Sequence, residues 1–177
     1  MTDPNLPSSA VPSALGVPVL QVAVVVEDVD RAVQDWWQHL GIGPWRIFTY
    51  GPAQLTDQTY RGEPATWTVR AALAMSGDVM MELVESVEGP DIWQEQLAER
   101  GSSLHHFAFY VTDMDVAVAE MLSRGWTIVQ SARAYGRSRD GHLAYFEHAT
   151  ISGIFVEVVQ PPTERSDPDF VYPAPRG

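Results

Sequence analysis

The spacing of apolar residues changes period several times along the chain, and each change marks a predicted element. Val19–Val26 is an apolar, β-branched run, which predicts a strand. Asp28 and Asp30 follow it as candidate helix caps, and apolar residues then recur at helical spacing as far as Leu40. The rest of the first half alternates apolar and polar residues, which predicts three strands at 45–50, 66–75 and 79–85.

The second half of the chain repeats this order. A short amphipathic helix over 90–100 connects the halves and ends at Gly101. After it the pattern predicts a strand at 105–111, a helix from about 114 to 123, and strands at 127–130, 142–146 and 154–159. We therefore expect an α+β fold in which two tandem βαβββ modules form a curved mixed sheet around a cleft, with helices on the outer faces.

The same patterns set the expected boundaries. They are a flexible N-terminal arm over 1–15, a first module over 16–88, a connecting helix over 89–101, a second module over 102–161 and a Pro-rich C-terminal tail over 162–177. Within the tail, Phe170–Tyr172 can either dock, on the body or on a partner subunit, or remain mobile. The long stretch Gly51–Pro64 is either a lid over the cleft, with Tyr60 and Arg61 as contacts, or a plain surface loop.

Two internal repeats place four polar residues at equivalent positions. Gln21–Val33 aligns without a gap on His106–Val118, and Val79–Val84 aligns on Ile154–Val159. Side chains alternate across a strand, so Gln21, Glu82, His106 and Glu157 each lie among apolar residues on one strand face. A buried glutamate needs a counter-charge, and two at equivalent positions favour a shared cation. A hydrogen-bonded core histidine is the simpler interpretation of His106 taken alone, and His105 falls on the opposite face by this parity.

Composition limits the partners and the ligand chemistry. The 177 residues include 45% hydrophobic residues, enough for a sizeable core, and carry a net charge of -12, which opposes binding to nucleic acid or to an anionic membrane. The chain has no cysteine, so a metal must be held by imidazole, carboxylate or amide groups. The N-terminal residues lack the basic start and apolar run of a signal peptide, which predicts a cytoplasmic protein.

The Leu-His-His106-Phe-Ala-Phe segment and the terminal Gly153-Ile-Phe-Val-Glu157 strand resemble the vicinal oxygen chelate superfamily, most closely its methylmalonyl-CoA epimerase-like branch. The resemblance covers about residues 17–161. It implies a metal-centred cleft with Gln21, Glu82, His106 and Glu157 as ligands of a divalent ion, with Zn, Co, Ni, Mn and Fe not distinguished. It also implies a homodimer and a small-molecule substrate.

The implied chemistry is a metal-dependent isomerase or epimerase that acts through a chelated enolate, with Glu82 and Glu157 as the catalytic proton carriers. An apolar or aromatic oxygenated substrate would suit the candidate lining residues: Trp45, Phe48, Trp67, Tyr110, Tyr145 and Phe155. Arg70 is a further candidate substrate contact. Arg70 or a neighbour is also the nearest match to the additional glutamate base of similar epimerases, which leaves methylmalonyl-CoA itself in doubt. The loop arginines Arg133, Arg137 and Arg139 can either grip an anionic group or simply face solvent.

Three alternatives stay open at this stage. Gln21 departs from the His of the epimerase branch, and the whole ligand set is similar to that of zinc-type glyoxalase I, which favours a glyoxalase-type lyase. An extradiol-type dioxygenase uses a His, His, Glu iron site that Gln21 and Glu82 fit poorly. The third alternative is a non-catalytic metabolite- or drug-binding protein of the bleomycin-resistance type.

Overall fold

The computed structural model describes residues 15–174, so nearly all of the predicted N-terminal arm lies outside the described residues. The helices are α1 (Val29–Leu40), α2 (Ile92–Arg100) and α3 (Met114–Ser123). The strands are β1 (Val19–Val25), β2 (Trp45–Tyr50), β3 (Thr56–Tyr60), β4 (Glu63–Pro64), β5 (Thr68–Ser76), β6 (Val79–Glu88), β7 (Ser103–Tyr110), β8 (Thr127–Tyr135), β9 (Gly141–His148), β10 (Ile151–Gln160) and β11 (Phe170–Tyr172).

The strands form one mixed sheet, in which the two modules have the same strand order when counted outward from the centre. The order is β11-β2-β5-β6-β1-β7-β10-β9-β8-β3-β4. The first strands of the two modules, β1 and β7, pair antiparallel at the centre, and each pairs in parallel with the last strand of its own module, β6 or β10. The predicted α+β fold with two βαβββ units around a curved mixed sheet is confirmed.

Equivalent helices begin with equivalent caps in the two modules. The Asp28 carboxylate accepts a hydrogen bond from the backbone N–H of Arg31 at 2.9 Å, and Asp113 accepts one from Val116 at 3.0 Å. Each cap satisfies an N–H group that the first helical turn leaves without a partner. The two helices then pack their apolar sides on the outer face of the sheet, where two separate cores form.

The register between neighbouring strands determines which side chains lie together on the inner, concave face of the sheet. Ala23 lies opposite both Glu82 on β6 and His106 on β7, and Glu157 on β10 lies opposite Ala108. Residues that are directly opposite share a face of the sheet. The parity argument from the sequence is therefore correct for these strands, and it brings one histidine and two glutamates to the centre of the concave side. Helix α2 packs Ile92 and Trp93 against this side.

Two segments run differently from the simple module plan. The stretch predicted as a lid or loop, Gly51–Pro64, instead contains β3 and β4, and β3 pairs with β8 of the second module. The C-terminal tail returns to the first module, where β11 pairs with β2. Of the two alternatives for residues 170–172, the docked one is correct. Among residues 15–174, no helix is long and apolar enough to cross a membrane.

Candidate metal centre

Three titratable side chains converge at the middle of the inner face. Glu82, His106 and Glu157 each offer one ligand atom, and these atoms lie within 4.8 Å of one another. The Nε2 atom of His106 is 3.0 Å from Glu82 Oε2 and 3.2 Å from Glu157 Oε2. All three residues are buried, with His106 fully inaccessible. A buried Glu-His-Glu group of this kind could bind a metal ion.

The orientation of His106 fits a metal ligand. Its Nε2 atom is close to both carboxylates, yet within the described part of the chain it has no hydrogen-bond partner of acceptable geometry. A buried polar nitrogen without such a partner is costly unless another group satisfies it. One imidazole nitrogen and two carboxylate oxygens are suitable donors for a divalent ion of the Zn, Co, Ni, Mn or Fe type. The donor set and the lack of a well-aligned hydrogen bond at this nitrogen therefore both fit a metal.

Gln21 lies beside this cluster with its amide nitrogen toward it. Its Nε2 donates to Glu82 Oε2 at 2.8 Å, and its Oε1 accepts a hydrogen bond from the Tyr110 hydroxyl at 2.8 Å. Metal ligation would need the amide oxygen instead, which a half-turn of the amide group would supply. The observed orientation shows Gln21 as a donor that fixes one glutamate oxygen, and its ligand role stays a prediction.

His105 lies next to His106, not on the opposite face of the sheet as strand parity predicts. Val24 of β1 pairs with Leu104 of β7, and the neighbouring Ala23 pairs with His106. His105 therefore has no partner on β1 and is the extra residue of a β-bulge. The bulge brings the two Nδ1 atoms to 2.9 Å from each other. Parity fails here because it assumes an unbroken ladder.

The contacts of His105 determine the proton positions on both rings. The Nε2 atom of His105 lies 3.3 Å from the backbone oxygen of Ile92, which can only accept a hydrogen bond. His105 Nε2 must therefore carry a hydrogen, and since burial and the nearby His106 hold the pKa of His105 well below its usual value, its Nδ1 is an acceptor. His106 Nδ1 then donates to it, which leaves His106 Nε2 to face the two glutamates.

The electrostatics of the metal-free cluster favour a protonated His106. Burial alone lowers the pKa of His106, but Glu157 and Glu82 outweigh it and raise the pKa to about 9. In this state the imidazolium supplies the positive charge that two buried glutamates require. A bound divalent ion would supply the same charge while His106 is neutral.

The cluster lies on the wall of a cavity that encloses about 100 Å³, and both glutamates line it. Four of the residues predicted to bind substrate also line it, namely Phe48, Trp67, Tyr110 and Tyr145. Burial, followed by the charges of Glu157 and Glu82, raises the pKa of both Tyr110 and Tyr145. These two tyrosines therefore remain neutral at ordinary pH.

Three predicted substrate contacts do not line this cavity. Trp45 is fully buried in the core beneath α1, where its ring meets Trp36 edge to face. Arg70 faces away and forms an ion pair with Asp30 at 2.8 Å. Phe155 packs against the His105 ring, 5.0 Å away. Strand alternation places Trp45 on the opposite face of the sheet from Phe48, and Arg70 on the opposite face from Ala71. A stricter use of alternation would therefore have excluded Trp45 and Arg70 from the cavity wall.

Several lining residues were not predicted from the sequence. The walls also include Tyr50, Tyr135 and Trp93, and the C-terminal tail contributes Pro162, Arg165 and Ser166. No local pattern signals that the tail folds back over the cleft. The loop residue Arg137 helps to hold it, because it pairs with Glu164 at 3.1 Å and with Asp167 at 2.5 Å. Arg139 instead donates to backbone oxygens of Ala53 and Gln54.

Comparison with known proteins agrees with the fold. The sequence profile of the Glyoxalase/Bleomycin resistance protein/Dioxygenase superfamily matches residues 20–146, and the chain belongs to this family. No curated protein sequence matches the chain significantly.

Solved structures with this fold include enzymes of different activity. Methylmalonyl-CoA epimerase from Mycobacterium tuberculosis is 19% identical, with a TM-score of 0.59 over 87% of this chain and 93% of its own. The Streptomyces coelicolor epimerase, in complex with 2-nitronate-propionyl-CoA, is 18% identical, with a TM-score of 0.60 over 85% and 98%. A 4-hydroxymandelate synthase variant from Streptomyces coelicolor is 18% identical, with a TM-score of 0.60 over 89% of this chain and 42% of its own. At these identities the similarity concerns the fold.

Proposed function

We propose that the protein is a divalent-metal-dependent isomerase or epimerase that acts through an enolate of a small, apolar or aromatic oxygenated substrate. One observation carries the proposal: Glu82 and Glu157, from opposite modules, converge on the Nε2 of His106, which makes no well-aligned hydrogen bond, at the wall of an aromatic cavity. This arrangement combines a cation-binding group with two carboxylates that face enclosed space.

Glu82, His106 and Glu157 would hold the metal. A divalent ion bound there supplies Lewis-acid stabilisation of negative charge on substrate oxygens, which makes the adjacent C–H more acidic. The two glutamates enter from opposite halves of the sheet, so one can take a proton from one face of a carbon and the other can return it on the opposite face. That exchange inverts a carbon centre or moves its proton to a neighbouring atom.

The surrounding residues orient the carboxylates and restrict water. Gln21 donates to one oxygen of Glu82 and is itself held by the Tyr110 hydroxyl. Tyr145 lies directly opposite Glu157 in the β9–β10 pairing and is almost fully buried. A low-polarity wall strengthens the interactions of the charged groups that face the cavity.

The cavity volume limits what can enter. About 100 Å³ is well below the roughly 300–1,000 Å³ of an ordinary ligand pocket. The cavity therefore admits a compact substrate, or the reacting end of a longer one whose remainder stays outside. The aromatic walls favour an apolar group beside the reacting carbon.

Metal content and hydrogen exchange test the proposal. We expect one equivalent of divalent metal per chain, and deuterium uptake from heavy water at a single C–H when metal-loaded protein is given aryl-substituted 2-oxo acids, 2-hydroxy ketones or acyl thioesters. Glu82→Gln or Glu157→Gln should lower the exchange rate by about 100-fold or more, the scale of a lost general base. Glu99→Gln, at an exposed carboxylate on α2, serves as the matched control. Protein that binds none of Zn, Co, Ni, Mn or Fe would contradict the proposal.

A glyoxalase-type lyase is the second candidate, and the position of Gln21 directly beside Glu82 favours it. This chain would then have a Gln, Glu, His, Glu ligand set once the Gln21 amide turns its oxygen inward. Turnover of the hemithioacetal of methylglyoxal and glutathione by metal-loaded protein distinguishes it from the first proposal. One imidazole with two carboxylates differs from the two-His, one-carboxylate set of non-haem iron oxygenases, so no dioxygenase is proposed.

A further inference from the structure

We infer that Arg165 makes the cavity selective for a substrate that carries one negative charge, most simply a carboxylate, apart from its metal-chelating oxygens. The inference rests on the proposed metal function, because it concerns the other end of the same substrate. Arg165 comes from the C-terminal tail that folds over the cavity, and the family resemblance in the sequence does not extend to this tail.

Arg165 is the one cationic side chain among the residues that line the cavity, counting only the described part of the chain. Between residues 15 and 174 its guanidinium makes no hydrogen bond and no ion pair, whereas Arg61, Arg70 and Arg137 all pair with carboxylates. An unpaired guanidinium beside an aromatic wall can bind a carboxylate through two parallel hydrogen bonds.

The backbone on both sides of Arg165 is held in place. Pro162 is buried, and the Thr163 backbone N–H donates to the Asp140 carboxylate at 3.0 Å. The Glu164 N–H donates to the Ser138 hydroxyl at 3.0 Å, and strand β11 anchors the chain further on. The tail is therefore fixed, and it holds Arg165, an exposed residue, at the edge of the cavity that it lines.

Charge balance favours one anionic group on the substrate. Glu82 and Glu157 contribute two negative charges, which a divalent ion neutralises when His106 is neutral. Arg165 then leaves the loaded cavity with one uncompensated positive charge, in a protein whose net charge is -12. The field of Arg165 reaches inside the cavity, since it lowers the pKa of Tyr50, Tyr110 and Tyr135, although burial raises each of them more. A carboxylate beside Arg165 pairs with this charge, whereas a substrate without a group of negative charge at that end leaves the guanidinium unpaired.

A pair of chelating probes that differ by one carboxylate tests the inference. Benzohydroxamate offers two vicinal oxygens to a metal, and 4-carboxybenzohydroxamate adds one distal carboxylate. Calorimetric titration of the metal-loaded, full-length protein should give about tenfold tighter binding of the carboxylated probe, the scale of one charge-assisted hydrogen bond near solvent. Arg165→Met should remove this preference and leave benzohydroxamate binding within about twofold of the unsubstituted protein.

The controls separate the inference from the proposed function. Arg165→Lys retains the positive charge but not the paired N–H groups of the guanidinium, so it should keep part of the preference for the carboxylated probe. Arg31→Met, at an exposed residue of α1, should leave this preference unchanged. Equal affinities of the two probes, or a preference that survives in Arg165→Met, would overturn the inference while the metal function stands. If neither probe binds to the metal-loaded protein, both the metal function and the inference fail.

Discussion

The Nδ1 atoms of His105 and His106 lie 2.9 Å apart, so the two adjacent histidines are joined by a hydrogen bond within one strand. The bond exists because a β-bulge places both rings on the same side. Through it, the backbone oxygen of Ile92 determines the tautomer of His105, and His105 determines which nitrogen of His106 faces Glu82 and Glu157. We therefore expect His105 to act as a positioning residue for the candidate metal centre.

Replacement of His105 should weaken metal binding without preventing folding. In His105→Phe the aromatic contacts with Trp93 and Phe155 can persist, but the acceptor for His106 Nδ1 is lost. We expect metal affinity to fall about 10- to 100-fold, as is common when the hydrogen-bond partner of a ligating histidine is removed. Competition with a chromophoric chelator measures the change, and the cobalt-loaded protein should also shift its visible spectrum.

His105→Asn separates positioning from packing. Its side-chain oxygen can accept from the bulge position, so it should restore part of the affinity that His105→Phe loses, although it packs less well. If both variants bind metal as tightly as the unsubstituted protein, His105 has no role in positioning His106.

Removal of His106 should destabilise the metal-free protein. The imidazolium lies within 3.2 Å of two buried carboxylates, and His106→Gln leaves both without a cation. We expect the free energy of unfolding to fall by about 3–5 kcal/mol, the range for breaking a buried ion pair by loss of one partner. Urea denaturation at pH 7 with a chelator present measures it. His39→Gln, at an exposed histidine of α1, should change stability by less than about 0.5 kcal/mol.

Metal binding should release a proton at neutral pH. The pKa of His106 in the metal-free protein is raised to about 9, so the ring is protonated at pH 7, while a metal ligand must be neutral. The apparent affinity should then increase about tenfold per pH unit from 7 to 9 and level off above that. Calorimetry in buffers of different ionisation enthalpy counts the proton, and a heat of binding that does not depend on the buffer would contradict the prediction.

The same raised pKa of His106 should make the metal-free fold less stable as the pH rises, whereas it makes metal binding tighter. The folded-state pKa of His106 lies above the ordinary value of 6.5, so its stabilising contribution is complete below about pH 6.5 and is lost as the pH rises through about 9. Metal-free protein should therefore unfold more readily at pH 9.5 than at pH 6.5, and this difference should shrink in His106→Gln. Denaturant midpoints at the two pH values give the comparison.

The sequence was sufficient for the features that depend on strand alternation and repeats. Alternation placed Glu82, His106 and Glu157 together because each lies on an unbroken stretch of ladder. It failed at His105, where one extra residue reverses the face, and no residue type at that position signals a bulge. It also gave no indication of Arg165, since docking of the tail depends on contacts between residues far apart in sequence, such as Glu164 with Ser138.

A methyl group at Gly136 should displace the tail from the cavity. Gly136 has a φ of +85°, and a Cβ there would lie 2.3 Å from Pro162 Cβ and 2.9 Å from the backbone oxygen of Glu164. Gly77→Ala is the matched control, because Gly77 also has a positive φ, of +62°, but a Cβ there would meet nothing within 4 Å. Gly77→Ala should cost only the left-handed backbone penalty of about 1–2 kcal/mol.

Gly136→Ala should cost more than this control because Pro162 must move, and the movement should carry Arg165 away from the cavity. We therefore expect faster proteolytic cleavage within 162–174, and a weaker preference for 4-carboxybenzohydroxamate over benzohydroxamate, in Gly136→Ala alone. Urea denaturation, limited proteolysis and probe titration measure the three effects. If the two alanine variants lose equal stability and retain the same probe preference, the tail does not depend on the close contact of Gly136 with Pro162.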